Sequence, residues 1–302
     1  MPATARSPGR HEHSLDFAGG PLVFDVWEPE RPSDQLPVLL VHGWGASSSY
    51  WRLTAEALSQ TTRVIVPDLP GTGRSQPVAT PQGMHEQTAS LSRILDALGI
   101  ERVQIVGHSM GGAMGILVAD AERERVDRLV LTSLCLFTSD AQRKFFKVVA
   151  LAFRLSLGLR KTPLARAPFF AERMAARYFH RLPPERELID RLYQDFLELD
   201  AASANACAAG ATDPLIDVAA ARLQAPTLLI ACRQDDLMPV ANVQFTGNLI
   251  PQCAVHWMDG SGHLPMLERP EEYVRVLRAF LTPETDPNQR TPTSVNLFSP
   301  SI

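Results

Sequence analysis

The chain has 302 residues, of which 45% are hydrophobic and 21% charged, and it carries a formal charge of −4. That length buries a sizeable core and permits one large domain or two small ones, and the balance is that of an average soluble globular protein. Nothing in the net charge calls for nucleic acid or a membrane as an overall partner.

The opening residues "MPATARSPGRHEHSLDF" hold no apolar core of a secretory signal, and no uncharged apolar run reaches the length of a bilayer span. A soluble cytoplasmic protein is the expectation. Cys135, Cys207, Cys232 and Cys253 are scattered without a C-x-x-C, which argues against a disulfide framework or a structural zinc site.

In chain order, "HSLDF" and "LVFDVWEP" flank Gly19-Gly20 and predict a hairpin. "LPVLLVHGWG" predicts a buried strand with a glycine-rich exit. "SSYWRLTAEALSQ" has helical spacing, with serines suited to cap it. "RVIVPDLPG" predicts a strand, and "HEQTASLSRILDALGI" an amphipathic helix with Leu91, Ile94, Leu95 and Leu98 on one face. A strand "RVQIVGHS", a helix through "GAMGILVADA" and a strand "RLVLTS" follow.

Continuous apolar strands alternating with helices predict a mostly parallel sheet covered on both faces. The alternation stops near residue 135. Residues 135–213 carry helical patterns and prolines (Pro163, Pro168, Pro183, Pro184) but no convincing strand. It resumes with "APTLLIACRQDD", a helix through "VANVQFTGNLI", the strand "CAVHWMDGSGH" and a last helix "PEEYVRVLRAFL". The expected organisation is one α/β core, 1–134 and 214–302, interrupted by a helical insertion at 135–213. The polar, proline-rich tail 282–302 is expected to be poorly ordered.

"VGHSMGG" places Ser109 directly after an apolar strand, at the carboxyl end where open α/β sheets bind ligands. Gly107 and Gly111 are expected to be small because Ser109 stands on a tight strand-to-helix corner. The pentapeptide alone is a weak motif. A serine nucleophile needs a base, and that base needs a third group to hold its tautomer. "CRQDD" offers Asp235 and Asp236 at one strand end, and "DGSGHLP" offers His263 at the next.

Asp235 is preferred because Asp236 is better placed to cap the following helix, with Asp236 kept as the alternative. An oxyanion hole needs two backbone donors. Met110, immediately after Ser109, supplies one. Trp44, in "HGWG" at the exit of the strand expected two before that of Ser109 in sheet terms, supplies the other. His11 and His13 form an H-x-H pair more often met as solvated surface. His42 and His108 flank glycine turns and are expected to pack or bond locally. His85, His180 and His256 fall outside the constellation.

Five segments in order, "HGWG", "DLPGTGRS", "GHSMGG", "QDDLMP" and "GSGHLPMLERPEEY", make the chain resemble the α/β-hydrolases over residues 12–281. That resemblance implies a Ser109–Asp235–His263 triad, a Trp44/Met110 oxyanion hole, no cofactor or metal, and a helical cap at 135–213. "HGWG" with "DLPG" is also similar to carboxylesterases that demethylate carrier-bound pimeloyl esters. Ser109 argues against epoxide hydrolases and haloalkane dehalogenases, which need a carboxylate nucleophile. Leu264, where meta-cleavage carbon–carbon hydrolases commonly have tryptophan and related hydroxynitrile lyases lysine, weakens both of those readings.

Ester hydrolysis of a small molecule with an apolar acyl part is the leading expectation. Thioesterase, lactonase and cofactor-free haloperoxidase or perhydrolase activities stand beside it, and an idle ligand receptor is the non-enzymatic alternative. Residues 141–181 hold ten Lys/Arg and one acid, Glu172. Lys144, Lys147 and Arg154 share one helical stripe, with phenylalanines and leucines on the others. Charge runs usually mean a solvated face; the sharper expectation is an anionic or carrier-linked partner at this segment.

Overall fold

The computed structural model describes residues 9–160, 162, 168–183 and 186–282. Lys161, Pro163, Arg166, Pro184 and the tail 283–302 lie outside the described residues, as does the side chain of Arg154.

The strands are β1 (Arg10–Phe17), β2 (Gly20–Trp27), β3 (Val38–Val41), β4 (Val64–Pro67), β5 (Val103–His108), β6 (Val126–Thr132), β7 (Thr227–Cys232) and β8 (Cys253–Met258). They form one eight-stranded sheet in the order β1-β2-β4-β3-β5-β6-β7-β8. The expected hairpin forms, turning at Ala18 and Gly19, both at positive φ. β1 and β2 pair antiparallel, as do β2 and β4, and every other pair is parallel. β3, β4, β5 and β7 are buried at every position. Helices on both faces leave no solvated side, so their sequences are mostly apolar rather than alternating, with Gln104, His108 and Thr227 as buried polar exceptions. β3 lies directly beside β5, which corrects the expected spacing of two strands in the sheet: β4 intervenes in the chain but pairs on the other side of β3. The "HGWG" exit is thus an immediate neighbour of the Ser109 corner.

The helices are α1 (Arg52–Leu58), α2 (Met84–Ala97), α3 (Met110–Ala121), α4 (Asp140–Leu159), α5 (Pro168–Ala175), α6 (Arg186–Glu198), α7 (Ala201–Gly210), α8 (Pro214–Ala220), α9 (Val243–Leu249), α10 (Pro265–Glu268) and α11 (Pro270–Leu281). Leu91, Ile94 and Leu95 of α2, Met114 and Ile116 of α3, Ile216 of α8 and Val243 of α9 pack one face of the sheet. Leu58 of α1, Met266 of α10 and Tyr273 and Leu277 of α11 pack the other. Each fully buried side chain of this size contributes about 1.5–3 kcal/mol of transfer free energy.

Between β6 and β7 the described residues form helices α4 to α8 and no strand. α8 is capped by Asp213 through the Leu215 N–H and packs on α3, so it belongs to the layer that covers the sheet. α5 and α6 pack on each other, and α7 on α2 and α4.

Candidate active site

Ser109 sits at φ 52°, ψ −119°, between the last residue of β5 and the first of α3. Its backbone N–H is held by Thr132 O at 2.8 Å. A Cβ on Gly107 would lie 2.4 Å from Gly111 O, and one on Gly111 2.4 Å from Val41 O and 2.5 Å from His42 O. Val41 and Gly107 are paired in the sheet and Gly111 is held in the first turn of α3, so these backbones have little room to retreat. The two glycines therefore let the chain turn sharply enough to force a positive φ on a serine, a strain of about 1–3 kcal/mol that ordinary turns avoid.

The loops after β7 and β8 bring Asp235 and His263 together. His263 Nδ1 lies 2.8 Å from Asp235 Oδ2, and both residues are buried. A carboxylate accepts and does not donate, so Nδ1 is the donor of this bond and Nε2 is the ring nitrogen that Asp235 does not hold. Asp235 Oδ1 accepts the N–H groups of Leu237 at 2.9 Å and Met238 at 3.0 Å. This corrects the reasoning that set Asp236 aside: Asp235 itself caps the next turn, and Asp236 is exposed.

His42 and His108 do not bond only locally. Leu69 N–H donates to His42 Nε2 at 3.0 Å, and His42 Nδ1 faces Gly43 O at 2.9 Å. Nε2 is thus an acceptor and Nδ1 a donor, a neutral ring, in keeping with the burial that lowers its pKa. His108 Nε2 faces the His263 carbonyl at 2.9 Å and must donate to it. Its Nδ1 then accepts from Tyr50 OH at 2.9 Å, and Tyr50 OH accepts the Gly43 N–H at 2.7 Å. Burial holds His108 well below the ordinary imidazole range, and the neighbouring His263 adds to the effect. One neutral chain, Gly43 to Tyr50 to His108 to His263, joins the β3 exit to the histidine loop.

That loop is also clamped from the inserted helices. His263 N–H donates to Tyr178 O at 2.7 Å. A Cβ on Gly262 would lie 2.6 Å from His180 N. Glu268 accepts the N–H groups of Gly262 at 2.7 Å, His180 at 2.9 Å and Arg181 at 3.2 Å.

Ser109, His108, His263, Trp44 and Met110 all line one cavity of about 300 Å³. Its other walls are largely apolar, with Leu134 and Leu136 from the sheet side and Phe146, Met174, Leu192 and Phe196 from α4, α5 and α6. Among the described residues the Ser109 hydroxyl makes no hydrogen bond; such contacts commonly close only when substrate binds. Met110 opens α3, so its N–H has no carbonyl partner within the helix. A Cβ on Gly43 would lie 3.3 Å from Ser109 Cβ, which brings the loop carrying Trp44 up against the serine. Cys135 lines the same cavity, and burial, with the Asp235 charge, pushes its thiol up to about 12. It is no rival nucleophile at neutral pH.

The sequence pattern of the alpha/beta hydrolase fold family matches residues 37–270. The chain belongs to that family. It is 31% identical over 262 residues to a 2-hydroxymuconate semialdehyde hydrolase of Pseudomonas putida, covering 81% of this chain and 86% of the relative. It is 28% identical over 255 residues to a protein of Azorhizobium caulinodans named for carbamate hydrolysis, covering 81% and 90%. Among solved structures, an esterase from Thermogutta terrifontis superposes with a TM-score of 0.72 at 28% identity, covering 90% of this chain and 97% of that one.

Within this alpha/beta hydrolase, the remaining histidines lie apart from the cavity. His11 and His13 are exposed on β1, and His13 stacks on Phe24. His85 faces Asp213 at 3.3 Å on the surface, and His256 lies in β8. Among the described residues no group of three or more His, Cys, Asp or Glu is placed to hold a metal ion. No described helix is long and apolar enough to cross a membrane. Sequence reasoning missed Tyr50 and Glu268. "GHSMGG" held the only hint of His108's role, in the ring that precedes the serine.

Proposed function

We propose that this hydrolase cleaves carboxylic esters through an acyl-serine intermediate. His263, paired through Nδ1 with Asp235, lines one apolar cavity with a strained Ser109, and that arrangement supports the reading. His263 Nε2 takes the Ser109 proton as Oγ attacks the ester carbonyl. The N–H groups of Trp44 and Met110 meet the negative oxygen of the tetrahedral intermediate. His263 returns the proton to the departing alcohol, and water, activated by the same nitrogen, releases the acid and restores Ser109.

The helices of 135–213 act as a cap, since α4, α5 and α6 supply the cavity's apolar wall and suit an apolar acyl part. The exposed Lys144, Lys147, Arg173, Arg177 and Arg181 support an anionic or carrier-linked partner at that cap. Thioesters, lactones and peracids demand the same acyl transfer, so they are side activities of one site. Carbon–carbon bond hydrolysis is the second reading: the similarity to the Pseudomonas putida enzyme favours it, and Leu264 counts against it.

The test is a p-nitrophenyl ester series of increasing acyl length with a fluorophosphonate probe. Wild type is expected to turn over and to label at Ser109. Ser109→Ala is expected to lose both, with kcat down by roughly 10³–10⁶-fold. A variant that keeps most of its activity, or a wild type that neither labels nor hydrolyses, overturns the proposal.

A further inference from the structure

α4 has two faces of unlike purpose. Its inner face sends Arg143 and Phe146 into the cavity wall. Its outer face leaves Phe145 69%, Val148 65% and Leu151 49% exposed, large apolar side chains at i, i+3 and i+6. On a 3.6-residue helix these three fall within one arc, and Lys144 and Lys147, both exposed, fall within or beside the same arc. The neighbouring α5 adds Phe169, 58% exposed, with Arg173 exposed on the same short helix.

Isolated exposed apolar residues need no explanation, but a helix that keeps its cavity face filled and still turns a contiguous apolar row outward does. We propose that the outer face of α4 lies in the interface of an anionic lipid surface, its apolar row in the acyl boundary and its lysines at the headgroups.

Charge selects this occupant. A second copy of the chain docking face to face through α4 would set Lys144 and Lys147 against their own equivalents. The surrounding 141–181 stretch has ten Lys/Arg to one acid in a chain that is otherwise net negative. Two of those cations are spent inside the fold: Arg143 pairs with Asp217, and Arg160 donates to Leu199 O. Of the described remainder, Lys144, Lys147, Arg173, Arg177 and Arg181 are exposed, Lys144 and Lys147 on α4 itself. Lipid binding stands independently of the ester reading; only one consequence, that acyl substrates enter the cavity from the surface α4 touches, rests on it.

The experiment is co-sedimentation of the full chain with phosphatidylglycerol vesicles and with phosphatidylcholine vesicles, across a salt series. Wild type is expected to bind the anionic vesicles, to be released by salt, and to leave the neutral ones largely unbound. Lys144→Glu/Lys147→Glu is expected to weaken binding by roughly tenfold or more, at about 1 kcal/mol for each basic residue at such a surface. Phe145→Ser/Val148→Ser is expected to weaken it comparably by removing the apolar row.

A thermal unfolding midpoint close to that of wild type shows that each variant is folded. No wild-type binding to anionic vesicles, or binding that both variants retain, overturns the inference. So does an apolar-row variant whose sole change is from dimer to monomer, or lysine variants that lose only activity on a carrier-linked ester. A wild type that binds vesicles but hydrolyses nothing would overturn the ester proposal and leave this one standing.

Discussion

His108 donates from Nε2 to the backbone carbonyl of His263, 155 residues further along the chain, at 2.9 Å. The two rings lie 4.8 Å apart, edge to face. Because His108 also accepts from Tyr50, whose hydroxyl holds the Gly43 N–H, a single imidazole sets the distance between the β3 exit and the loop that presents the candidate base.

His108→Phe keeps the ring volume and breaks both bonds. We expect kcat to fall by about 10–100-fold with a smaller change in KM, the scale on which misplacing a reacting group acts. Each buried group left unmade costs about 1–3 kcal/mol of stability. Tyr50→Phe is expected to act in the same direction and more weakly. Burial keeps His108 neutral through the working range, so the pH–rate profile keeps its shape while its height drops. A shifted acid limb would make His108 the titrating base instead of a positioning residue.

Asp235 and Asp236 provide a paired test of the acid. Asp235→Asn presents an amide to His263 Nδ1 and favours the wrong tautomer, and a loss of about 10³–10⁴-fold in kcat is expected from that fault alone. Asp236→Asn, on an exposed side chain, is expected to stay within about 0.5 kcal/mol in stability and near wild type in rate. Equal losses in the two variants would remove the distinction between them.

The sheet was legible in the sequence because buried parallel strands are written as mostly apolar runs, and the Ser109 corner because its glycines meet backbone at 2.4 Å, which only a missing side chain permits. The partnership of His108 with His263 was not, since nothing local to "GHS" names a carbonyl so distant in the chain. The capping reasoning failed at Asp235 because one carboxylate has two oxygens: Oδ2 serves His263 while Oδ1 serves Leu237 and Met238. Periodicity expected phenylalanines away from the charged stripe of α4. Adjacent residues differ by 100°, so Phe146 reaches the cavity wall and Phe145 points outward beside Lys144.

Strain at Ser109 predicts a trade of stability against activity. Ser109→Gly accepts φ 52° without a Cβ penalty and is expected to stabilise the fold by about 1 kcal/mol, after the entropy cost of glycine, while abolishing turnover. Gly111→Ala is expected to do the reverse, costing about 3 kcal/mol or more because its Cβ would overlap the backbone at Val41 and His42. Thermal unfolding of the two variants beside wild type decides the matter; a Ser109→Gly variant that melts earlier would show that the corner is unstrained.

Asp195 of α6 joins the inserted helices to the loop after β3 through an acid that burial disfavours. Its Oδ2 accepts the hydroxyls of Ser47 and Ser49, each at 2.6 Å. Burial raises its pKa, and those two hydrogen bonds only partly oppose the rise. The folded state therefore holds the proton more tightly than the unfolded chain. The stability Asp195 contributes is fully present below the ordinary carboxylate range and declines as pH rises through its raised folded value. At neutral pH the buried charge opposes folding. Asp195→Asn removes the charge and keeps an oxygen to accept from the serines, so the variant is expected to be more stable than wild type near pH 7. That advantage should shrink toward zero as the pH falls below 4, where wild type is itself protonated. Denaturant midpoints of both proteins across that range provide the check. A gain that persists undiminished in acid, or a variant less stable at neutral pH, would show that the ionised carboxylate is what holds α6 to the core.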